Sequence, residues 1–256
     1  MSADRGSDPP LFAARNVSVR YGGVRANDDV TLAVGPGEIV GLIGPNGAGK
    51  TTFVDAVSGF SRYSGGVELD GASLDGAGPH RRRQAGLART WQAGELFGDL
   101  TVAENLAVAV EGAGVRGALA DVFSRRRRSD RVVLSALEMV GMSALADRRP
   151  DQLTLGEQKL VGVARALVGA TRTLLLDEPA AGLDTDESAA FGDELGRICA
   201  TGLGVLLIDH DMTLVLEVCH RVYVMDLGRI IATGTPADVS ADERVVAAYL
   251  GSQVTP

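Results

Sequence analysis

The stretch Gly44-Pro45-Asn46-Gly47-Ala48-Gly49-Lys50-Thr51-Thr52 decides how this chain folds. Its glycine, four intervening residues, glycine, lysine and threonine follow the phosphate-binding loop pattern. The apolar run Ile39 to Ile43 precedes it and reads as a buried strand. Thr51 to Val57 follows and reads as a helix. This strand, loop and helix setting supports the motif better than the letters alone. The chemistry explains the residue types. Nucleotide phosphates concentrate negative charge, and backbone N–H groups converge on them only where no side chain intervenes. A helix opening at the loop aims the positive end of its dipole at the same anions. Lys50 adds a point charge for the outer phosphates, and the Thr51 hydroxyl is placed to ligate Mg²⁺. The pattern implies nucleotide binding.

Working outward, 256 residues leave room for one large α/β domain or two small ones. A hydrophobic content of 45% and a charged content of 23% are those of an ordinary globular protein. Lys+Arg 25 against Asp+Glu 33 gives −8, which argues against general nucleic-acid binding. Met1 to Pro10 is polar, lacks a signal-peptide core and reads as a disordered tail. No apolar run reaches the length of a transmembrane helix. Cys199 and Cys219 have no ligand or redox spacing and are expected to be buried free thiols of a cytosolic protein. His80, His210 and His220 show no metal-site spacing.

Val17, Val19 and Tyr21 alternate with polar residues, as do Val30, Leu32 and Val34, so each set reads as a half-buried strand. Gly22-Gly23 and Asn27-Asp28-Asp29 supply turn chemistry around their link. Gly65-Gly66 leads to a short strand from Val67, and Asp70-Gly71 to a turn. The clusters Arg81–Arg83 and Arg125–Arg128 read as solvated helix faces or loops, with contact to acidic lipid headgroups as the alternative. From about Thr101 to Ala146 the pattern is helical. Val102, Leu106 and Val110 form one face, and Val133, Leu137, Val140 and Leu145 a second, with Ser129 as its N-cap. Another helix is expected from about Gln158 to Val168, a hairpin over Val222–Met225 and Arg229–Ile231, and a last helix over Glu243–Leu250.

Three apolar strands end in chemistry: one in the phosphate loop, Thr173–Leu176 in Asp177-Glu178, and Val205–Ile208 in Asp209-His210. Ligands of α/β sheets sit beyond the carboxyl ends of the strands. Asp177 is placed to hold Mg²⁺, and Glu178 to accept a proton from an attacking water. His210 is placed to donate a hydrogen bond to an outer phosphate as charge develops. Gln92, in Arg89-Thr90-Trp91-Gln92, carries an amide able to sense Mg²⁺ or water; its spacing alone does not distinguish it from a surface glutamine.

In this order the residues resemble the ATP-binding-cassette (ABC) transporter ATPases, from about Leu11 to Gly251. Gly44–Thr51 is similar to the Walker A motif, Leu174–Glu178 to Walker B with its catalytic glutamate, Gln92 to the Q-loop and His210 to the switch histidine. Ala181–Asp184 is similar to the D-loop, and Tyr21 to the aromatic residue that stacks on adenine. Leu153-Thr154-Leu155-Gly156-Glu157-Gln158 stands where the signature Leu-Ser-Gly-Gly-Gln is expected. Thr154 keeps the hydroxyl and Gly156 the second glycine, whereas Leu155 replaces the first glycine and Glu157 the glutamine.

The resemblance implies a P-loop NTPase (RecA-like) core with an antiparallel β subdomain and a helical insert. It implies one ATPase domain over 11–251, a helical subdomain at about 93–160 and a tail at 252–256. ATP and Mg²⁺ are the implied cofactors. The implied partners are a second ATPase subunit, like or unlike this one, integral membrane permease subunits and, indirectly, a solute-binding protein. Each ATP would lie between one subunit's phosphate loop and the other's signature, at the cytoplasmic face of the membrane. Ala88–Gln92, Leu100–Leu106, Asp177–Leu183 and Gly228–Pro236 look like the larger ATPase subunit of branched-chain amino-acid importers. Urea and short-amide importers, the lipopolysaccharide-export type, a soluble non-transport ABC ATPase and a catalytically dead binding module are the alternatives. The last is disfavoured by the joint presence of Lys50, Asp177, Glu178 and His210.

Overall fold

The computed structural model describes residues 9–90, 96–110, 121–209 and 212–251. Gln92, His210, the expected tail up to residue 8 and residues 252–256 lie outside them. Strands β1 (Phe12–Tyr21) and β2 (Val24–Val34) pair antiparallel, then β3 (Ile39–Ile43) runs into α1 (Lys50–Val57). Next come β4 (Ser64–Leu69), β5 (Ala72–Ser73), α2 (Pro79–Ala85) and β6 (Leu87–Arg89). Helices α3 (Val102–Ala107), α4 (Asp121–Met139) and α5 (Leu155–Leu167) follow. The chain then alternates through β7 (Thr173–Asp177), α6 (Thr185–Cys199), β8 (Gly204–Ile208) and α7 (Met212–Val218). A hairpin of β9 (Arg221–Asp226) and β10 (Arg229–Gly234) precedes α8 (Pro236–Ser240) and α9 (Glu243–Gly251).

One sheet is antiparallel, in the order β2-β1-β4-β5; the other runs β10-β9-β3-β8-β7-β6 and is parallel except at β10. The phosphate-loop strand therefore sits inside the larger sheet, between β8 and β9. Its neighbour β8 is buried along its whole length, as is the interior of β9, because both faces are covered. Val40, Leu42, Leu175, Leu206 and Ile208 point into a core shared with the small sheet and α1. Ile39, Ile43, Leu174, Leu176, Val205 and Leu207 point the other way, against the helices. That alternation is the period of two expected of strands. Cys199 and Cys219 are buried free thiols, and burial pushes them up to about 11 and about 12 respectively.

The structure corrects several expectations. Ser129 does not stand at a helix start: α4 begins at Asp121 and runs through the arginine cluster, a residue type that propagates helices well. Helix α5 begins at Leu155, three residues earlier than expected, because Thr154 and Glu157 form a capping box. Arg82 is not solvated. It is 2% exposed and donates to the Ala77 and Val57 carbonyls and the Tyr63 hydroxyl. Asn27-Asp28-Asp29 is no turn; it lies within β2, and Asn27 is fully buried.

Candidate functional site

Helix α1 opens without a side-chain cap and without an acidic residue in its first turn. Helices α3, α5, α6 and α8 each fill that place with a capping box. The first turn of α1 thus keeps its N–H groups for an external anion. The back of the loop is braced tightly. A Cβ on Gly44 would stand 2.0 Å from the Met225 carbonyl oxygen, and one on Gly49 would stand 2.6 Å from that of Ala26. Both glycines also have positive φ, at 150° and 104°. Asn27 Nδ2 donates to the Gly49 carbonyl at 3.1 Å, and Gly228 N–H donates to Ala48 O at 2.8 Å. The bracing residues come from β2 and the β9–β10 turn. Pro45 is half-buried, Asn46, Gly47 and Thr51 are exposed, Thr52 is half-buried, and Ala48 is buried.

Lys50 Nζ folds over the loop, donating to Gly44 O at 2.6 Å and Pro45 O at 3.1 Å. Burial lowers its pKa, and the charges of Glu178 and Asp177 pull it back up. Sheet register brings these acids to the loop. Leu42 at the end of β3 stands beside Ile208 of β8, which stands beside Asp177 of β7. Asp177 is buried, and burial raises its carboxyl above the ordinary range against the pull of the Arg89 guanidinium, with Glu178 and Asp55 adding to the rise. Glu178 has φ 48°, a conformation that costs a non-glycine residue about 1–2 kcal/mol. Its N–H donates to Ile208 O at 2.7 Å, and the following turn is tied to β8 where Ala180 N–H donates to Asp209 Oδ2 at 3.2 Å. Asp209 is fully buried.

The other expected site residues are spread over distinct places. Tyr21 ends β1, is 54% exposed and bonds Ser61 Oγ through its hydroxyl at 3.1 Å. Thr154 is the N-cap of α5, its hydroxyl accepting from Glu157 N–H while the Glu157 carboxylate accepts from Thr154 N–H at 2.8 Å. Gly156 is buried against Glu187, and Leu155 meets Gly182. Asp184 is the N-cap of α6, accepting from Glu187 N–H at 2.9 Å. Asn27, Asp209 and Arg89 are structural partners of the site that sequence reasoning passed over.

The donor set fits a hard cation. The Asp177 carboxylate and Thr51 hydroxyl offer oxygen donors, and Mg²⁺ is commonly held by one or two such groups with substrate phosphates and water. No larger cluster of metal-ligating side chains occurs among the described residues. Beside the acids opens a cavity of about 660 Å³ whose lining includes Arg89, Asp177 and Glu178 together with Phe60, Phe97 and Val108. All three apolar side chains are more than half exposed.

Comparison with known proteins agrees with this geometry. The ABC transporter family model matches residues 27–181, and the branched-chain amino acid ATP-binding cassette transporter model matches residues 229–255. The chain is 36% identical over 250 residues to the high-affinity branched-chain amino acid transport ATP-binding protein LivG of Escherichia coli (strain K12), covering 94% of this chain and 98% of that one. It is 38% identical over 244 residues to the lipopolysaccharide export system ATP-binding protein LptB of Haemophilus influenzae, covering 95% and 98%. A solved nucleotide-free ATP-binding cassette from an ABC transporter superposes with a TM-score of 0.83 at 28% identity, covering 94% and 99%.

Proposed function

This chain belongs to the ABC transporter family of ATP-binding proteins, and from that premise we propose that it energises an importer of branched-chain amino acids. It is an ATPase. The cargo class is carried by the branched-chain family match to residues 229–255, which span β10, α8 and α9. Relatives named for lipopolysaccharide export match the whole chain about as well, so the C-terminal match supports import over export. In this reading residues 11–251 work as one ATPase domain with a helical subdomain at about 93–160.

The phosphate-loop N–H groups and Lys50 hold the phosphates, and Tyr21 stacks on the adenine. Thr51, Asp177 and Gln92 are the residues that would hold Mg²⁺. The ion supplies charge neutralisation at the outer phosphates when bound. Glu178 takes the proton of the attacking water, and His210 donates to the outer phosphate. A second ATPase subunit completes the site through Thr154, Gly156, Glu157 and Asp184. Supporting these roles are the electrostatic coupling of Lys50 to Glu178 and Asp177 and the shared strand-end register.

No helix among the described residues is long and apolar enough to cross a membrane. The chain reaches the cytoplasmic face through permease subunits, and a solute-binding protein delivers cargo to those. The cavity carrying exposed Phe60 and Phe97 receives an apolar cytoplasmic segment of the permease, since Asp177 and Glu178 line the same cavity. Phe97→Asp is expected to lower uptake about tenfold or more by removing an aromatic anchor, with the ATPase rate of the isolated chain within about twofold of wild type. Equal losses in both assays would place Phe97 in the fold and not at the permease.

Cargo is tested by deleting the gene and following labelled leucine, isoleucine and valine uptake beside urea uptake and surface lipopolysaccharide. Selective loss of amino-acid uptake is the expected result. Loss of urea uptake or of surface lipopolysaccharide alone would transfer the chain to that substrate.

A further inference from the structure

One guanidinium joins the phosphate-loop helix, the carboxylate strand and the strand that leads to Gln92. Arg89 ends β6 in parallel register with Leu175 of β7, and Thr90 N–H continues the pairing to Leu175 O at 2.9 Å. Its Nη2 donates to Asp177 Oδ2 at 2.9 Å. Its Nη1 donates to Asp55 Oδ1 of α1 at 2.5 Å and to Ser58 Oγ at 3.2 Å. The Arg89 and Asp177 side chains are only 7% and 4% exposed, while Asp55 is 33% exposed.

A tie between α1 and β6 needs only the Asp55 arm. The Asp177 arm does something else: it occupies one oxygen of a buried carboxylate and leaves Oδ1 as the other. A planar donor fork fixes the geometry of what it holds, which a lysine ammonium does not. We infer that Arg89 is a positioning residue that orients the Asp177 carboxylate for Mg²⁺ and anchors that orientation to α1 through Asp55. The inference rests on reading Asp177 as a Mg²⁺ ligand in a nucleotide site. It goes beyond that reading by assigning Arg89, which bonds Asp177, Asp55 and Ser58, and Asp55 of the loop's helix. Groups that orient a metal ligand typically change metal affinity by about 10–100-fold when replaced.

The separation between loop and carboxylate gives the test. Metal-free nucleotide is held by the loop and Lys50, so its affinity is independent of Arg89. Metal-dependent tightening runs through Asp177 and depends on it. A fluorescent ADP analogue is titrated into the full-length chain in EDTA, then in rising MgCl₂ and, separately, MnCl₂. For Arg89→Lys the EDTA affinity is expected within about twofold of wild type, with half-saturating Mg²⁺ raised about tenfold. Asp55→Asn leaves the Asp177 arm intact and is expected to raise half-saturating Mg²⁺ about threefold, and to add nothing when combined with Arg89→Lys.

Unchanged Mg²⁺ dependence in Arg89→Lys, or an equal weakening in EDTA, overturns the inference and leaves Arg89 a strut. If Arg89→Lys does not fold, Asp55→Asn decides in the same way. If the wild-type chain shows no nucleotide binding or no Mg²⁺ dependence, the reading of the site itself fails.

Discussion

Replacing Glu178 with glutamine is expected to lower steady-state ATP hydrolysis by about 10²–10⁴-fold, the range typical of a lost general base. Nucleotide affinity is expected to stay within about twofold, since a glutamine keeps the shape while removing the carboxylate's charge and its capacity to accept a proton. The site isolates this residue well. Its backbone is held at φ 48° by the N–H bond to Ile208 O, and neither feature depends on the carboxylate. Its charge works against the lowering of the Lys50 pKa by burial. Single-turnover and steady-state phosphate release, read beside a nucleotide titration, check the result. Unchanged turnover would remove Glu178 from the role of base.

Replacing Lys50 with alanine is expected to act on binding instead. The ammonium is the charged side chain that reaches over the loop, bonding Gly44 O and Pro45 O at 2.6 and 3.1 Å. Charge-assisted hydrogen bonds contribute about 1.5–3 kcal/mol each. Losing those to the phosphates is expected to weaken ATP binding roughly a hundredfold. Fold stability is expected to change little, because removing a partly buried charge offsets the lost bonds to the loop carbonyls. Equal nucleotide affinity in the variant and the wild type would contradict the loop assignment.

The strands that carry the site were legible because a parallel strand buried on both faces must be apolar throughout and must end abruptly. Ile39–Ile43, Thr173–Asp177 and Gly204–Ile208 all do so. Their shared direction then placed Lys50, Asp177 and Glu178 together. Capping signals were on the page but outweighed by apolar periodicity: Thr154-x-x-Glu157 marks the true start of α5, and Asp184-x-x-Glu187 that of α6. Long-range polar contacts were not legible. Arg89 and Asp177 lie 88 residues apart and Asn27 and Gly49 lie 22 apart, so no local pattern announces either pair. Arg82 misled because a run of arginines normally marks solvent, whereas here the middle one finds three acceptors inside.

ATP hydrolysis at Glu178 is expected to drive amino-acid uptake. This is tested most directly by labelled leucine uptake in cells lacking this chain, complemented with wild type or with Glu178→Gln at matched membrane abundance. Wild type is expected to restore uptake and the variant is not. Equal restoration by both would contradict it.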